Sequence, residues 1–206
     1  MTQGYPNRID VTDSPVEEVA LLQRVAQRDR VAFEALYRCY FARLRRFIQK
    51  MTRLPHLDDE ILDDTMLVVW QKAHTFDNSC RVSTWIFAVA YRTTLKALSR
   101  ERRHMAADGG EAMGQAGDGA AADIVCDEPG PDAMLFTVQS RRVLDRLLTK
   151  LPAEHRAVIE LTYFHGHAYG DIATIVDCPE GTVKTRMFHA RRKLRELLLK
   201  EGWRSA

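Results

Sequence analysis

Apolar positions recur at helical spacing along most of the chain, and no stretch alternates strictly as a half-buried strand would. Ser14-Pro15-Val16-Glu17 reads as a helix start. Ser14 can cap, Pro15 suits the first helical position, and Glu17 completes a capping box, with the helix running to about Gln27. Asp29 caps a longer helix that carries Phe33, Leu36, Tyr37, Tyr40, Leu44, Phe47, Ile48 and Met51 on one side, and Pro55 ends it. Leu57 to about His74 gathers Leu57, Ile61, Leu62, Thr65, Val68 and Val69 on one face. Thr75 to Ser83, with Asp77, Asn78 and Ser79, has turn chemistry, and Thr84 to Arg103 is helical again. Further on, Asp132 to Lys150, Pro152 to about His165, Tyr169 to Val176 and Pro179 to Lys200 each read as helix, with Gly166 and Gly170 bracketing a break. The pattern predicts an all-α fold.

One segment lacks any apolar face. His104 to Pro131 is rich in Gly, Ala and Asp and reads as a flexible linker. The expected organisation is a disordered stretch over 1–15, a helical unit over 16–103, the linker over 104–131 and a second helical unit over 132–206, two small domains on a tether. Charge follows the same division. Residues 1–103 carry 17 Lys/Arg against 13 Asp/Glu, 104–132 carry none against seven, and 133–206 carry 13 against eight. Two basic blocks separated by an acidic one fit a polyanion partner, and solvated helical surface accounts for the charge equally well. The 206 residues contain no apolar run of about 18, which excludes a transmembrane helix and membrane insertion. The polar start argues against secretion. Cys39, Cys80, Cys126 and Cys178 form no C-x-x-C pair, against a zinc ribbon or a disulfide scaffold, so a cytoplasmic, reduced protein is expected. The chain ends at Ala206 soon after its last helix, and no further regulatory domain is expected there.

The most informative stretch runs from Asp171 to Arg186. A short helix holding Ile172, Ala173 and Val176, a turn centred on Asp177 and Cys178, and a longer helix opened by Pro179 and Glu180 make the layout of a helix-turn-helix. In the second helix Val183, Met187, Ala190, Leu194 and Leu197 form the core stripe. Lys184, Arg186, Arg191, Arg192, Lys193 and Arg195 supply cations with no acid among them. Thr182, Lys184, Thr185 and Arg186 are placed for base edges or the first phosphates, and the later cations for phosphate neutralisation.

The first block carries two contrasting surfaces. Asp58, Asp59, Glu60, Asp63 and Asp64 crowd one helical turn and a half. Such repulsion is tolerated for a basic partner, for a metal, or as a solvated first turn that suits the helix dipole. Only His56 could join a metal site, so none is expected, and no cofactor. Arg92, Lys96, Arg100 and Arg103 then form a basic stripe. Near its start stand Phe76, Trp85, Phe87 and Tyr91, either platforms for unstacked bases or core residues.

With these residues in view, the chain resembles the extracytoplasmic-function group of bacterial RNA polymerase sigma factors in the sigma-70 family. The likeness spans about 17–103 and 132–200. It rests on Phe33-Glu-Ala-Leu-Tyr, on Thr84-Trp85-Ile86 before a basic helix, on Leu151-Pro152-Ala-Glu-His-Arg-Ala-Val-Ile-Glu-Leu, and on Pro179-Glu-Gly-Thr-Val-Lys-Thr-Arg-Met-Phe-His-Ala-Arg-Arg-Lys-Leu. It implies that the Asp58–Asp64 cluster binds the beta-prime clamp of core RNA polymerase and that the second block meets the beta flap. It implies that Phe76, Asn78, Arg81, Ser83 and Thr84, with the basic stripe, read and melt the minus-ten promoter element. Glu180, Thr182, Lys184, Thr185, Arg186, His189, Arg191, Arg192 and Arg195 would hold the minus-thirty-five element as duplex. The linker would thread through the polymerase near the RNA exit path. Members are often held inactive by an anti-sigma factor. Three positions depart from the family pattern. The usual Asp-Leu-Val-Gln-Glu appears as Glu60-Ile61-Leu62-Asp63-Asp64, a common Asn is Arg92, and the turn Gly is Asp177, which tolerates left-handed dihedrals.

The alternative is a one-component helix-turn-helix regulator that binds duplex DNA without polymerase. An enzyme is not expected: no Ser/His/Asp order, P-loop, G-x-G-x-x-G or H-E-x-x-H is present, and His155, His165 and His167 read as packing or chance.

Overall fold

The computed structural model describes residues 15–107 and 143–201, and within them every regular element is helical. Helix α1 (Pro15–Ala26) and helix α2 (Arg30–Thr52) meet at a tight turn built by Asp29. Its carboxylate accepts from the amides of Val31 and Ala32 and from Arg24 at 2.7 Å, as the capping expectation required. Ser14, the expected cap of α1, lies outside the described residues. Arg53 ends α2 in left-handed geometry (φ 56°), and Pro55 then occupies the first turn of helix α3 (Pro55–Lys72). The proline that stops one helix therefore starts the next.

A 3-10 turn, Ala73–Thr75, and a loop lead to helix α4 (Val82–Ala107). This helix runs four residues into the stretch assigned to the linker. His104, Met105, Ala106 and Ala107 contain no helix breaker, and the first glycine comes only at Gly109. The remaining linker and the 1–14 stretch lie outside the described residues, as does most of the expected Asp132–Lys150 helix, of which 143–149 is seen as α5. Helix α6 (Ala153–Ile159) passes directly into a π-helical turn, Glu160–Phe164. Helices α7 (Tyr169–Val176) and α8 (Glu180–Lys200) follow close to their expected bounds.

The first block packs α1, α2, α3 and α4 together, and the second packs α6, α7 and α8. Phe47, Phe87, Tyr40 and Leu44 are among the first block's fully buried side chains, and each such apolar group contributes roughly 2 kcal/mol. The two expected blocks also pack on one another. α4 packs on α7 and α2 on α6, and the buried residues of both blocks form one continuous cluster. The cause is visible on α4, where Ile86, Phe87, Ala88, Val89, Ala90 and Tyr91 are all buried. A helix apolar all round must be covered on both sides, and α7 supplies the second cover.

Candidate nucleic-acid interface

Five acids were expected to share one surface at the start of α3, and the fold divides them. Asp58 is turned inward: its carboxylate accepts from Thr52 Oγ1 at 2.7 Å and ties α3 to the end of α2. Burial pushes its carboxyl up, against the hydrogen bond from Thr52. Asp59 faces Arg45 at 3.7 Å, and Glu60 takes an ion pair from Arg100 on α4. Asp63 and Asp64 point into solvent, with no ion pair among the described residues.

Beside Asp63 runs an apolar groove of 460 Å³ between α2 and α3, lined by Arg30, Phe33, Tyr37, Met66, Leu67 and Trp70. Its wall carries Trp70 edge-on to Phe33 at 5.0 Å, and Tyr37, whose ring lies 5.6 Å from that of Phe41 outside the groove. Leu67 is 51% exposed. Sequence reasoning missed this groove. Its signal was the four-residue spacing of Phe33, Tyr37 and Phe41, a second apolar row beside the core stripe.

The loop before α4 is shaped by Asp77, which accepts from the Ser79 amide, and by Asn78 in left-handed geometry (φ 61°). The hydrogen bonds from Ser79 hold the Asp77 carboxyl below its usual range. Phe76 is half-buried and edge-on to Trp85 at 5.9 Å. Asn78 and Arg81 are exposed and Ser83 is half-buried. Thr84 is different: it is fully buried and its hydroxyl donates to Asp171 of α7 at 2.9 Å. Arg92, Lys96, Arg100 and Arg103 form one exposed basic stripe, in which Arg100 is shared with Glu60. Phe87 and Tyr91 are core residues and carry no platform role.

The helix-turn-helix is formed by α7, Asp177 and α8. Asp177 adopts φ 52° and ψ 58°, and the Cys178 amide closes α7 by donating to the Ala173 carbonyl at 3.1 Å. Val183, Met187 and Ala190 are buried as expected. Lys184 is paired with Glu180 at 2.7 Å on the exposed face, and the Thr185 hydroxyl donates back to Gly181. Thr182 is half-buried, and Arg191, Arg192 and Arg195 are exposed. Glu196, just beyond the basic run, sits 4.0 Å from Arg192 and 3.8 Å from Lys193. Arg186 is held on both sides, by Glu154 of α6 at 2.8 Å and by the Cys178 sulfur.

His189 stacks on His155, ring centroids 6.3 Å apart. Burial, with His189 next, lowers the His155 pKa. Phe188 was not singled out in the sequence, and it is 63% exposed on α8 with Arg192 above its ring.

Comparison with known proteins then finds two matches along the chain. Residues 36–104 match the family described as Sigma-70 region 2, and residues 141–194 match Sigma-70, region 4. The chain is 33% identical over 183 residues to the ECF RNA polymerase sigma factor SigK of Mycolicibacterium vanbaalenii, covering 87% of this chain and 88% of that one. It is 29% identical over 180 residues to the ECF RNA polymerase sigma factor RpoE of Cereibacter sphaeroides, covering 86% and 93%. Among solved structures it is similar to the sigma factor RpoE of Bartonella quintana in complex with the anti-sigma factor NepR. That match has a TM-score of 0.60 and 25% identity, over 81% of this chain and 96% of that chain.

Proposed function

The chain belongs to the extracytoplasmic-function group of the sigma-70 family, the initiation factors that direct RNA polymerase to promoters, and we propose that its two blocks divide promoter recognition between them. Such factors are not enzymes. In this division α3 presents Asp63 and Asp64, with the adjoining apolar groove, to the beta-prime clamp of core polymerase. Asp59 and Glu60 flank that surface, while Asp58 supports it from inside. The Phe76–Ser83 loop and the basic stripe of α4 take the minus-ten element as melted strand. No bond chemistry is needed: capture of extruded bases offsets their unstacking, while Arg92, Lys96 and Arg103 neutralise the backbone.

On the second block the N-terminal turns of α8 enter the major groove of the minus-thirty-five element, with Lys184, Thr185 and Thr182 nearest the base edges. Arg191, Arg192 and Arg195 lie further along for phosphates. Arg186 acts by fixing α8 against α6. The place of action is the cytoplasm, and an anti-sigma factor is an expected partner.

The observation that supports this most is the coexistence, on one chain, of an exposed acidic ridge beside an apolar groove and two separate basic DNA surfaces. A one-component regulator has no use for the first. The test is capture of bacterial core RNA polymerase by the purified protein, followed by run-off transcription from a genomic fragment library. Capture with new promoter-specific transcripts is expected. Duplex binding without polymerase capture would replace this reading with that of a one-component regulator.

A further inference from the structure

The seam between the two blocks is built unlike a permanent core. Among the described residues six buried side-chain nitrogen or oxygen atoms have no partner, and five of them belong to Arg156, Glu160, His165 and His167. Native interiors leave few such atoms, because each has lost water and gained nothing. All four residues line the face of the second block that meets the first. Arg156 donates to the Met51 carbonyl at the end of α2. His165 is edge-on to Phe47 at 5.8 Å and lies 4.8 Å from Phe87, and His167 is edge-on to Phe87 at 4.9 Å. His165 is thus inserted between rings of α2 and α4 and His167 lies against the α4 ring, each with a buried, unpaired Nε2.

We propose that this seam is a proton-operated latch: neutral His165 and His167 allow the blocks to close over Thr84 and Asp171, and protonation of the pair opens them. The consequence for transcription rests on the sigma-factor reading, whereas the latch itself does not. In the seam an imidazolium would face Arg43 and Arg46 from α2 and Arg81 ahead of α4, with Asp171 of α7 as the opposing acid. Burial, and then Arg43, hold His165 down to about 3 and His167 to about 4. Solvated in the open form, both return to about 6.5. Protons therefore bind the open form more tightly, and between pH 7.5 and 5.5 the pair shifts the open-to-closed ratio about 100-fold toward open.

Glu160 works in the opposite direction. Burial pushes its carboxyl up to about 7 despite Lys50 and Arg46 from α2 and Arg156 from α6, with Asp145 of α5 adding to the rise. It takes a proton more readily when closed, so over the same interval it favours closure by about 20-fold. Glu160 therefore opposes the histidines on acidification, and removing it unmasks them. Opening matters because minus-ten and minus-thirty-five elements lie roughly 85 Å apart along B-form DNA, at about 3.4 Å per base pair. Two readers in ring contact through Phe87 and His165 cannot occupy both.

Hydrogen–deuterium exchange of the full chain at pH 7.5 and 5.5, corrected for intrinsic exchange, tests this at 84–91 and 165–168, with 19–26 as the control for global unfolding. In Glu160→Gln the opening equilibrium is expected to rise about 100-fold on acidification, and in the wild type by much less. Adding His165→Gln and His167→Gln is expected to abolish the dependence. Equal exchange of Glu160→Gln at both pH values, or the same acid opening without the histidines, overturns the latch. Should the triple variant lose its helical spectrum, imidazole titration of the wild-type chain by NMR decides. Midpoints below 5 support the latch, and midpoints near 6.5 overturn it. Polymerase capture is a separate readout, so failure of the sigma reading leaves the exchange result standing.

Discussion

Arg186 and Lys184 stand two residues apart on α8 and were nominated together as base contacts, yet their surroundings separate them. Lys184 is exposed beside Glu180, whereas Arg186 is 21% exposed and bridges Glu154 and Cys178. Replacing Lys184 by Ala is expected to lower duplex affinity about tenfold, flatten the salt dependence by about one ion, and leave the melting temperature unchanged. Arg186→Ala is expected to lower both affinity and stability, the latter by about 1 kcal/mol. Thermal melting beside fluorescence anisotropy on a minus-thirty-five duplex reads both quantities, and an unaltered melt in Arg186→Ala would restore it as a free reader. The acids of α3 divide in the same way. Asp58→Ala leaves the buried Thr52 hydroxyl proton without its acceptor and is expected to cost about 1–3 kcal/mol in urea unfolding. Asp63→Lys with Asp64→Lys is expected to keep the helical spectrum and weaken polymerase capture, and full retention of capture would return both acids to plain solvated surface. Residue types showed where charge lies; which charges are spent inside the fold depends on contacts from distant helices, and the sequence does not display these.

Helix identity was legible wherever its cause is local. The Asp29 cap, the Pro55 boundary and the helix-turn-helix were all readable because each is set by a few adjacent residues. Asp177 is one of these: at φ 52° it fills the place where glycine is the usual choice. Asp177→Gly is expected to stabilise the chain by about 0.5–1 kcal/mol without changing duplex affinity, and Asp177→Val to destabilise it by at least as much, as read by thermal melting. Other features were hidden for identifiable reasons. The π-helical turn over Glu160–Phe164 has the composition of ordinary helix, and the shift in register it introduces is set by what packs against it. The ring-lined groove was absorbed into the α2 core stripe because Phe33 and Tyr37 lie at its edge. Their half-burial follows from where α3 crosses α2 and from no property of α2 alone.

The seam between the blocks is the feature the chain least discloses, since Phe47 and Phe87 meet His165 and His167 across an intervening segment that reads as pure separation. Thr84 shows what that contact does to function. It was nominated for the minus-ten element, and it is fully buried with its hydroxyl on Asp171. If Thr84 meets promoter DNA, closure competes with promoter binding, and the measured affinity is the intrinsic one reduced by the fraction of molecules that are open. Weakening the seam at a residue that is not itself nominated for DNA should then improve binding. Asp171→Ala removes the acceptor for Thr84 and is expected to weaken closure by about 1 kcal/mol, which corresponds to about a fivefold gain in apparent affinity. The measurement is binding of a fork-junction promoter fragment by the variant assembled with core polymerase, with melting of the free protein recorded alongside. A gain in affinity with a lower melting temperature identifies closure as a tax on binding. Unchanged affinity with the same lowered melt would show that polymerase opens the seam completely, so that the Thr84–Asp171 bond contributes only to the free protein.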